Sequence, residues 1–394
     1  MKLHLGKSRS LYDTETLHVA TTSKVRDETN HNKGGNSSEQ DQYHATPLIS
    51  VIILNGPSGG ERVLANCLQS VLKTDYDAFE VIVVDNGSRD GSPDIVSKFQ
   101  TIDKRVRLVR NSRNLGFALG NNIGASYANG EYLLFLNNDT LVEPNWLREL
   151  VNVVNRSSSI AAAQPKLLMM DEPTILDSTG GYLTQYGTIY NPGMLNKDQP
   201  TLMRQSEVLV AKGAALLVRR NMFFRVGKFD PRFFIYNEEL DLCWRIWLSG
   251  HAVVFVPTSV VYHSLGWTNR GLRAYNSFMF YYGHRNYINT LFKNLSLRHF
   301  IRYAVPYSVL FLGFTMYSSF RVRHAWYYVI RAWAWNLVNF RSTYTNRLLT
   351  QNTIREITDY VILRQLTKKI RLIELLQNYT SVGPRKLSQV LKPR

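Results

Sequence analysis

Short apolar runs that stop at turn-forming residues restrict the fold of this chain more than any other feature of its sequence. Residues 48–54, 79–84 and 132–136 are rich in β-branched and aromatic side chains, and asparagine or aspartate follows each run at once. Between them, residues 63–72 and 92–99 carry apolar side chains at helical spacing. Strands that alternate with helices pair into a mostly parallel sheet covered on both faces. The sequence therefore predicts an α/β fold.

Two aspartates stand where predicted strands end. Asp85 follows the second apolar run, and Asp139 comes shortly after the third. Ligands of open α/β sheets bind at the carboxyl ends of the strands, so both carboxylates are candidates for a ligand site. A further strand is predicted at residues 252–256 and is expected to end at Pro257, because proline cannot donate to a sheet ladder.

The charge of the chain is concentrated in its last third. The sequence has 394 residues with 47 basic and 30 acidic side chains, but residues 266–394 contain 20 of the basic and three of the acidic ones. A neutral body with a basic, aromatic tail does not fit a nucleic-acid coat, and no nucleic-acid partner is expected. Such a tail fits an anionic membrane surface instead. Two cysteines, Cys67 and Cys243, exclude a disulfide framework and a multi-cysteine metal site.

Three regions follow from these patterns: a disordered arm at residues 1–46, an α/β domain at 47–270 and a basic helical region at 271–394. Within the basic helical region, residues 303–320 carry no charge and have arginines on both sides. This stretch is short for a membrane span and contains Pro306. Association with the membrane interface is the favoured interpretation; a packed helical subdomain and a true span are the alternatives.

The segment around Asp85 and the segment 137–140 each have two interpretations. A carboxylate at a strand end can bind a base or ribose, and nearby glycines let the backbone approach a ligand; the alternative is a turn with a helix cap at Asp90 or Ser92. Asn137-Asn138-Asp139 can supply a carboxylate to a divalent cation, or it can be a turn.

Three acids crowd into residues 238–241, ahead of an apolar helix face. Neighbouring carboxylates raise one another's pKa, and a carboxylate tuned in this way can accept a proton from an alcohol. The alternative is an acidic helix start that suits the helix dipole. His263, just after a predicted strand, is either a metal ligand or a hydrogen-bonded histidine.

Taken in order, these motifs resemble the family 2 glycosyltransferases of the GT-A fold, in their rhamnosyltransferase-like branch. The resemblance covers about residues 48–270 and continues loosely into Arg285-Asn286-Tyr287. The residues that carry it are 50–53, 83–92, 114–118, 120–122, 135–140, 233–245 and His263.

The resemblance implies a nucleotide-diphosphate sugar donor, a divalent metal (Mg²⁺ or Mn²⁺) and an inverting single displacement. It implies Glu239 as the catalytic base and Asp139 and His263 as metal ligands. It implies donor contacts for Asn55, Asp85, Asn86, Asn114, Gly116, Asn122, Asn137 and Asn138. It implies an acceptor side formed by Glu238, Asp241, Trp244 and Arg245.

The chain departs from the family pattern in three places. The loop at residues 55–59 reads Asn-Gly-Pro-Ser-Gly where Asn-Tyr-Asn-Gly is common, the metal motif has the single acid Asp139, and Glu239 replaces an aspartate. These departures keep open a catalytically weak or inactive protein that binds nucleotide sugars or carbohydrates. No Gln-x-x-Arg-Trp motif occurs, so a processive synthase is not expected.

The expected acceptor is a saccharide or a polyprenyl-diphosphate-linked saccharide, in the assembly of a cell-surface polysaccharide. An anionic membrane would carry such a lipid, which accounts for the basic tail. Glycosylation sequons begin at Asn86 and Asn138, inside the nucleotide motifs, where glycans would block the site. The expected location is therefore cytoplasmic, on the inner face of the cell membrane.

Overall fold

The computed structural model describes residues 46–56, 60–264, 278–319 and 324–375. The predicted arm at 1–46 lies outside these ranges except for Thr46, as do Pro57, Ser58 and Gly59 of the first loop.

The first half of the α/β region forms as its periodicity predicts. Four strands pair in parallel in the spatial order β4-β1-β2-β3. The apolar runs of β1, β2 and β4 are buried on both faces of the sheet, as a sheet covered by helices requires, whereas β3 at the edge is largely half-buried or exposed. The strands are β1 (Ile49–Asn55), β2 (Phe79–Asn86), β3 (Val106–Asn111) and β4 (Tyr132–Asn137); the helices are α1 (Glu61–Leu72), α2 (Ser92–Ile102) and α3 (Gly116–Ser126).

The second half makes the sheet mixed. Strand β11 runs antiparallel to both β4 and β6, while β6 and β12 run parallel to each other. The main path of the sheet is β10-β12-β6-β11-β4-β1-β2-β3. The added elements are β5 (Thr140–Val142), α4 (Trp146–Val154), β6 (Ile160–Met169), β7 (Leu176–Ser178), β8 (Tyr182–Thr184), β9 (Ile189–Tyr190), β10 (Ser206–Glu207), β11 (Ala215–Arg219), α5 (Arg220–Arg225), α6 (Glu238–Leu248) and β12 (Ala252–His263). The predicted α/β class is confirmed, with a mostly parallel sheet that has helices on its faces.

Strand β12 does not end at Pro257, contrary to the sequence prediction. Its pairing with β6 breaks between Val256 and Val260 and then resumes as far as His263. Proline lacks an N–H, and a bulge lets the strand pass such a residue without a donor. The consequence is that His263 is the last residue of this strand and faces the end of β4.

The C-terminal region is helical, as predicted. Two π-helical turns, Met279–Gly283 and Thr350–Ile354, interrupt the series. The short last strand pairs with β8 in a separate three-stranded sheet. The elements are α7 (His284–Asn294), α8 (Leu297–Ser318), α9 (Ala325–Val338), α10 (Phe340–Leu349), α11 (Asp359–Leu366) and β13 (Thr367–Lys368).

A buried network of charged groups joins α6 to α7 across the predicted boundary at residue 270. Lys293 donates to Asp241 at 2.8 Å and to Asp230 at 2.9 Å. Arg245 also donates to Asp241, at 2.8 Å, and all four side chains are at least 95% buried. Within the residues that the structure describes, the C-terminal helices therefore share a core with the α/β region.

No helix in the described parts of the chain combines the length and the apolarity that a membrane crossing needs. The longest, α8, has 22 residues and contains Pro306. The interpretation of residues 303–320 as a span is therefore not supported within the described residues, while Phe320 itself lies outside them.

Candidate active site

Asp85 is the last residue but one of β2, at the carboxyl edge of the sheet, and it pairs with the last residue of β1, Asn55. Its carboxylate accepts hydrogen bonds from the backbone N–H of Ser88 at 3.2 Å and from the Ser88 hydroxyl, and Arg110 lies 3.7 Å away. The turn role expected for this loop falls to Asp90, which accepts from Ser92 N–H at 3.1 Å. Asp85 is thus held near the strand end, and Asp90 bonds the turn before α2, whose cap residue Gly91 makes no side-chain hydrogen bond.

Asn86 holds the loop that carries Asn114 and Gly116. Its amide nitrogen donates to Asn114 Oδ1 at 3.0 Å and to the Gly116 carbonyl at 3.2 Å. Gly116 has a φ of +81°, and a Cβ there would stand 2.3 Å from the Phe234 carbonyl oxygen. A larger residue would be strained and would collide with backbone. Asn86 is 2% exposed, so it organises this wall of the site from beneath.

Asn122 lies away from this wall. Its amide donates to the Phe229 carbonyl at 2.9 Å and accepts from Phe229 N–H at 3.1 Å. A reciprocal pair of this kind satisfies both ends of a buried amide. The structure therefore gives Asn122 a role in joining α3 to the segment before α6, and does not bring it to the donor site implied by the resemblance.

Asn55 and Asn138 meet at the ends of β1 and β4. Asn138 Nδ2 donates to Asn55 Oδ1 at 2.8 Å, whereas the buried Nδ2 of Asn55 has no partner within the described residues. A buried amide without a partner costs free energy. This donor is consequently available to a ligand at the sheet edge.

His263 and Asp139 come together beyond the ends of β4 and β12. Nε2 of His263 lies 3.4 Å from Asp139 Oδ1 and 3.3 Å from Asn137 Nδ2. Nδ1 of His263 lies 2.8 Å from Oδ2 of Asp177, which is 1% exposed. Burial opposes a charged imidazole, but the hydrogen bonds to Asp139 and Asp177 outweigh it and raise the pKa of His263.

Asp139 and His263 fit a divalent cation. A carboxylate oxygen and an imidazole nitrogen 3.4 Å apart can both reach one ion at ligand distances of about 2 Å. In the described residues no group of three or more acidic, histidine or cysteine side chains could hold a metal alone. The remaining ligands would have to be water and diphosphate oxygens, as Mg²⁺ commonly uses.

Glu238 and Glu239 open α6 directly after two residues in the left-handed region. Tyr236 has a φ of +72° and Asn237 a φ of +66°, which is unusual for residues other than glycine. The amide of Asn286 on α7 donates to the carbonyls of Ile235 and Tyr236 at 3.0 and 2.8 Å. Strained backbone of this kind persists where its surroundings hold it, and it is typical of functional sites.

Both glutamates are tuned towards the protonated form. Burial, and then the charge of Glu239, raise the pKa of Glu238 well above its ordinary value. Burial also raises the pKa of Glu239, against the opposing effects of a backbone hydrogen bond and of Lys212. The buried Oε2 of each side chain has no hydrogen-bond partner among the described residues. A carboxylate in this state can accept a proton at an active site.

Asp241, Trp244 and Arg245, which the resemblance implies on the acceptor side, lie in the core. Asp241 and Trp244 are 0% exposed and Arg245 is 3% exposed. Arg245 donates to Asp241 and to the carbonyls of Val226 and Lys228. These side chains point to the inner face of α6, because i and i+4 residues share a face. They stabilise the helix that carries Glu239 and form no open acceptor surface.

Two residues at this site, Asp177 and Lys212, have no signal in the sequence that singles them out, and a third, Asn286, stands in a segment of the looser resemblance that gave it no role. Asp177 and Lys212 form an ion pair of 2.5 Å next to His263, and Asn286 holds the turn before Glu238. Asp177 stands in Leu-Asp-Ser-Thr-Gly-Gly, which resembles an ordinary turn. Their partners are far away in the chain, so only the fold brings these side chains to the site.

A family match over the α/β region indicates the class of protein. Residues 49–220 match the model of the family described as "Glycosyl transferase family 2". The resemblance to the family 2 glycosyltransferases that its motifs predict is confirmed over these residues, which make up less than half of the chain.

Known proteins support this assignment over part of their length. The O-antigen biosynthesis protein RfbC of Myxococcus xanthus is 30% identical over 230 residues, which cover 55% of this chain and 17% of that protein. The chain spans between 24% and 36% of the length of three other curated relatives that it matches.

Two solved structures share the GT-A fold with this chain. GalNAc-T7, solved with UDP, GalNAc and Mn²⁺, has a TM-score of 0.52 and 21% identity, over 62% of this chain and 48% of that one. The mannosyltransferase PcManGT from Pyrobaculum calidifontis, solved with GDP-Man and Mn²⁺, has a TM-score of 0.50 and 14% identity, over 78% of this chain and 87% of that one.

Proposed function

We propose that this chain is an inverting glycosyltransferase that moves a sugar from a nucleotide-diphosphate donor to a saccharide or lipid-linked saccharide. The observation that carries the proposal is the Asp139–His263 pair at the carboxyl edge of the sheet. Lys212 connects this pair to the base, since it contacts Asp177 behind His263 and its charge opposes the burial that raises the pKa of Glu239. The family match supports the same reaction class.

The proposed reaction is one displacement at the anomeric carbon. The acceptor hydroxyl attacks from the face opposite the diphosphate, so the new C–O bond forms as the bond to the leaving oxygen breaks. Glu239 accepts the hydroxyl proton, for which its Oε2, without a hydrogen-bond partner among the described residues, is suited. A bound Mg²⁺ or Mn²⁺, held by Asp139 and His263, would neutralise charge on the leaving diphosphate. Attack by the acceptor itself requires no covalent intermediate on the enzyme.

The proposed donor site lies along the ends of β1, β2 and β4. Asp85 would contact the base. The amides of Asn138 and of Asn55, whose Nδ2 has no partner in the part of the chain that the structure describes, would donate to donor oxygens. A hexosyl or rhamnosyl donor is proposed from the family branch. A role in polysaccharide assembly at the cell envelope is supported by the name of RfbC, an O-antigen biosynthesis protein.

We also propose that the enzyme works at an anionic membrane surface on its cytoplasmic side. Helix α8 exposes an apolar stripe at a spacing of four residues, beginning with Leu297, Ile301, Val305 and Val309, each 55–64% exposed. Side chains at this spacing lie on one face of a helix. Exposed Arg298 and Arg302 adjoin the stripe. An apolar stripe beside basic residues is typical of helices that lie in the membrane interface.

Co-sedimentation with vesicles tests the membrane proposal. We expect more binding to anionic than to neutral vesicles, and a loss of that binding in the double variant Ile301→Asp/Val305→Asp. The matched control is Ile102→Asp, at an apolar residue 80% exposed on α2 in the α/β half. Equal binding to both kinds of vesicle, or equal loss in both variants, would contradict the proposal.

Thermal unfolding with nucleoside diphosphates of uridine, thymidine and guanosine, each with and without Mn²⁺, tests the donor site. A ligand that binds the native state alone raises the unfolding temperature. We expect a metal-dependent rise with one base. A folded protein that responds to none of them would contradict the proposal.

Glu239→Gln separates catalysis from simple binding. Glutamine keeps the shape of the side chain but cannot accept the proton, so we expect turnover to fall about 10²–10⁴-fold while donor binding is retained. Glu131→Gln, at an exposed position, is the control. Unchanged turnover in Glu239→Gln would remove Glu239 from the reaction; no turnover in the wild type with donor bound would favour the binding-protein alternative.

A further inference from the structure

We propose that Asp177 is the positioning residue of the metal site, and that Lys212 and Gln164 hold it in place. The inference rests on the proposed function, because it assigns a role toward the ion that Asp139 and His263 would bind. It concerns a side chain on β7 that makes no direct contact with that ion.

Asp177 fixes which nitrogen of His263 faces the site. Its Oδ2 lies 2.8 Å from Nδ1 of His263, and both side chains are more than 90% buried. A carboxylate can only accept here, so Nδ1 carries a proton, and Nε2, on the side of Asp139, is the nitrogen left to bind a metal in place of its contact with Asp139. A histidine that binds a metal through one nitrogen usually donates from the other to such a carboxylate, which fixes both the tautomer and the ring plane.

Lys212 supplies the charge that lets Asp177 remain ionised in the core. Its ammonium donates to Asp177 Oδ1 at 2.5 Å, opposite the oxygen that faces His263. The two carboxylate oxygens thus have one partner each, and the carboxylate cannot rotate without losing both.

Gln164 on β6 ties these groups to the sheet. Its side-chain oxygen accepts from the backbone N–H of Lys212 at 2.6 Å, and its nitrogen donates to the Ser178 hydroxyl at 3.2 Å. Gln164 is 0% exposed. A single buried amide therefore bonds to the backbone of Lys212 and to the side chain that follows Asp177, and this holds the Asp177–Lys212 pair behind His263.

The experiment is a titration of Mn²⁺, with free Mn²⁺ followed by electron paramagnetic resonance, in the presence of the nucleoside diphosphate that stabilises the wild type. We expect Asp177→Ala to weaken Mn²⁺ binding about 10–100-fold. Asp177→Asn, whose Oδ1 can still accept from Nδ1, should lose less. The control is Asp198→Asn, which breaks another lysine pair, that with Lys166 at 2.8 Å.

A merely structural role for Asp177 predicts a different pattern. It would lower the unfolding temperature without metal and leave Mn²⁺ affinity unchanged in the folded variant. That result, in Asp177→Ala or in Asp177→Asn if the alanine variant does not fold, overturns the inference. The proposed function fails separately: a wild type that binds no Mn²⁺ with any nucleoside diphosphate removes the metal site itself, and this inference with it.

Discussion

Replacing Lys293 with methionine tests whether the C-terminal helices are energetically part of the catalytic unit. The side chain is 3% exposed, and its ammonium bridges Asp230 on one side and Asp241 on the other at 2.9 and 2.8 Å. Methionine keeps most of the volume and removes the charge. The change therefore isolates the ion pairs from the packing of α7 on α6.

The expected loss of stability depends on the charged partners that Asp230 and Asp241 keep when Lys293 is replaced. Removing one partner of a buried ion pair costs about 3–5 kcal/mol. Here each aspartate keeps an arginine, Arg232 on Asp230 at 2.7 Å and Arg245 on Asp241 at 2.8 Å. We therefore expect a loss at the lower end, about 3 kcal/mol in the free energy of unfolding. That is more than a hundredfold in the unfolding constant.

The pH dependence gives a second measure of the same network. Burial alone would raise the pKa values of Asp230 and Asp241, but the charges of Lys293 and the arginines hold both below their ordinary value of 3.8. Carboxylates of this kind stabilise the fold above the unfolded pKa, and the stabilisation is lost as the pH falls through the folded pKa. The difference between wild type and Lys293→Met should therefore be largest above about pH 5 and shrink below pH 4.

Urea denaturation across this pH range is the assay, with Lys166→Met as the control. Lys166 pairs with Asp198 at the same distance, 2.8 Å, but both side chains are partly exposed, so we expect about 0–1 kcal/mol there. A Lys293→Met protein that unfolds within about 1 kcal/mol of the wild type would refute the reasoning. A difference that does not change with pH would show that packing, and not charge, had been lost.

Two further predictions concern α7. Asn286→Ala removes the hydrogen bonds that hold the left-handed turn before Glu238. We expect kcat to fall about 10–100-fold with the KM for donor unchanged, because the base shifts while the donor site does not. The control is Asn289→Ala, one turn later on α7, where the side chain is buried and bonded to Thr343; it should keep its kcat, and equal losses in both variants would contradict a positioning role for Asn286. Burial lowers the pKa of His284 to about 3, so the unfolded chain takes up a proton below about pH 6.5 that the folded chain does not. Stability should therefore be complete above pH 6.5 and fall towards pH 3, and His284→Gln, which can still accept from Trp333, should reduce that fall in urea denaturation.

The sequence predicted the elements whose signals are local. The strands that end at Asn55, Asn86 and Asn137 and the helices between them follow from runs and periods of a few residues. The end of β12 was predicted too early, because Pro257 normally ends a ladder and the bulge that carries the strand past it depends on pairing with β6. Asn122 and Trp244 stand within motifs of the family, and yet their side chains face inward.

The same division holds at the site. Turns and helix starts have short sequence signatures, so the Asn, Asp and Glu residues at the strand ends and at the start of α6 can be recognised from the sequence. These residues suffice to indicate the family. The contact of His263 with Asp177, and that of Lys293 with Asp241, depend on how β7 meets β12 and how α7 docks on α6. Such contacts join residues more than 50 positions apart in the chain, so local sequence propensities cannot predict them. The sequence by itself therefore determined the elements and the kind of chemistry, whereas the tertiary structure decided which buried partners orient the metal ligand and the base, since only packing sets those distances.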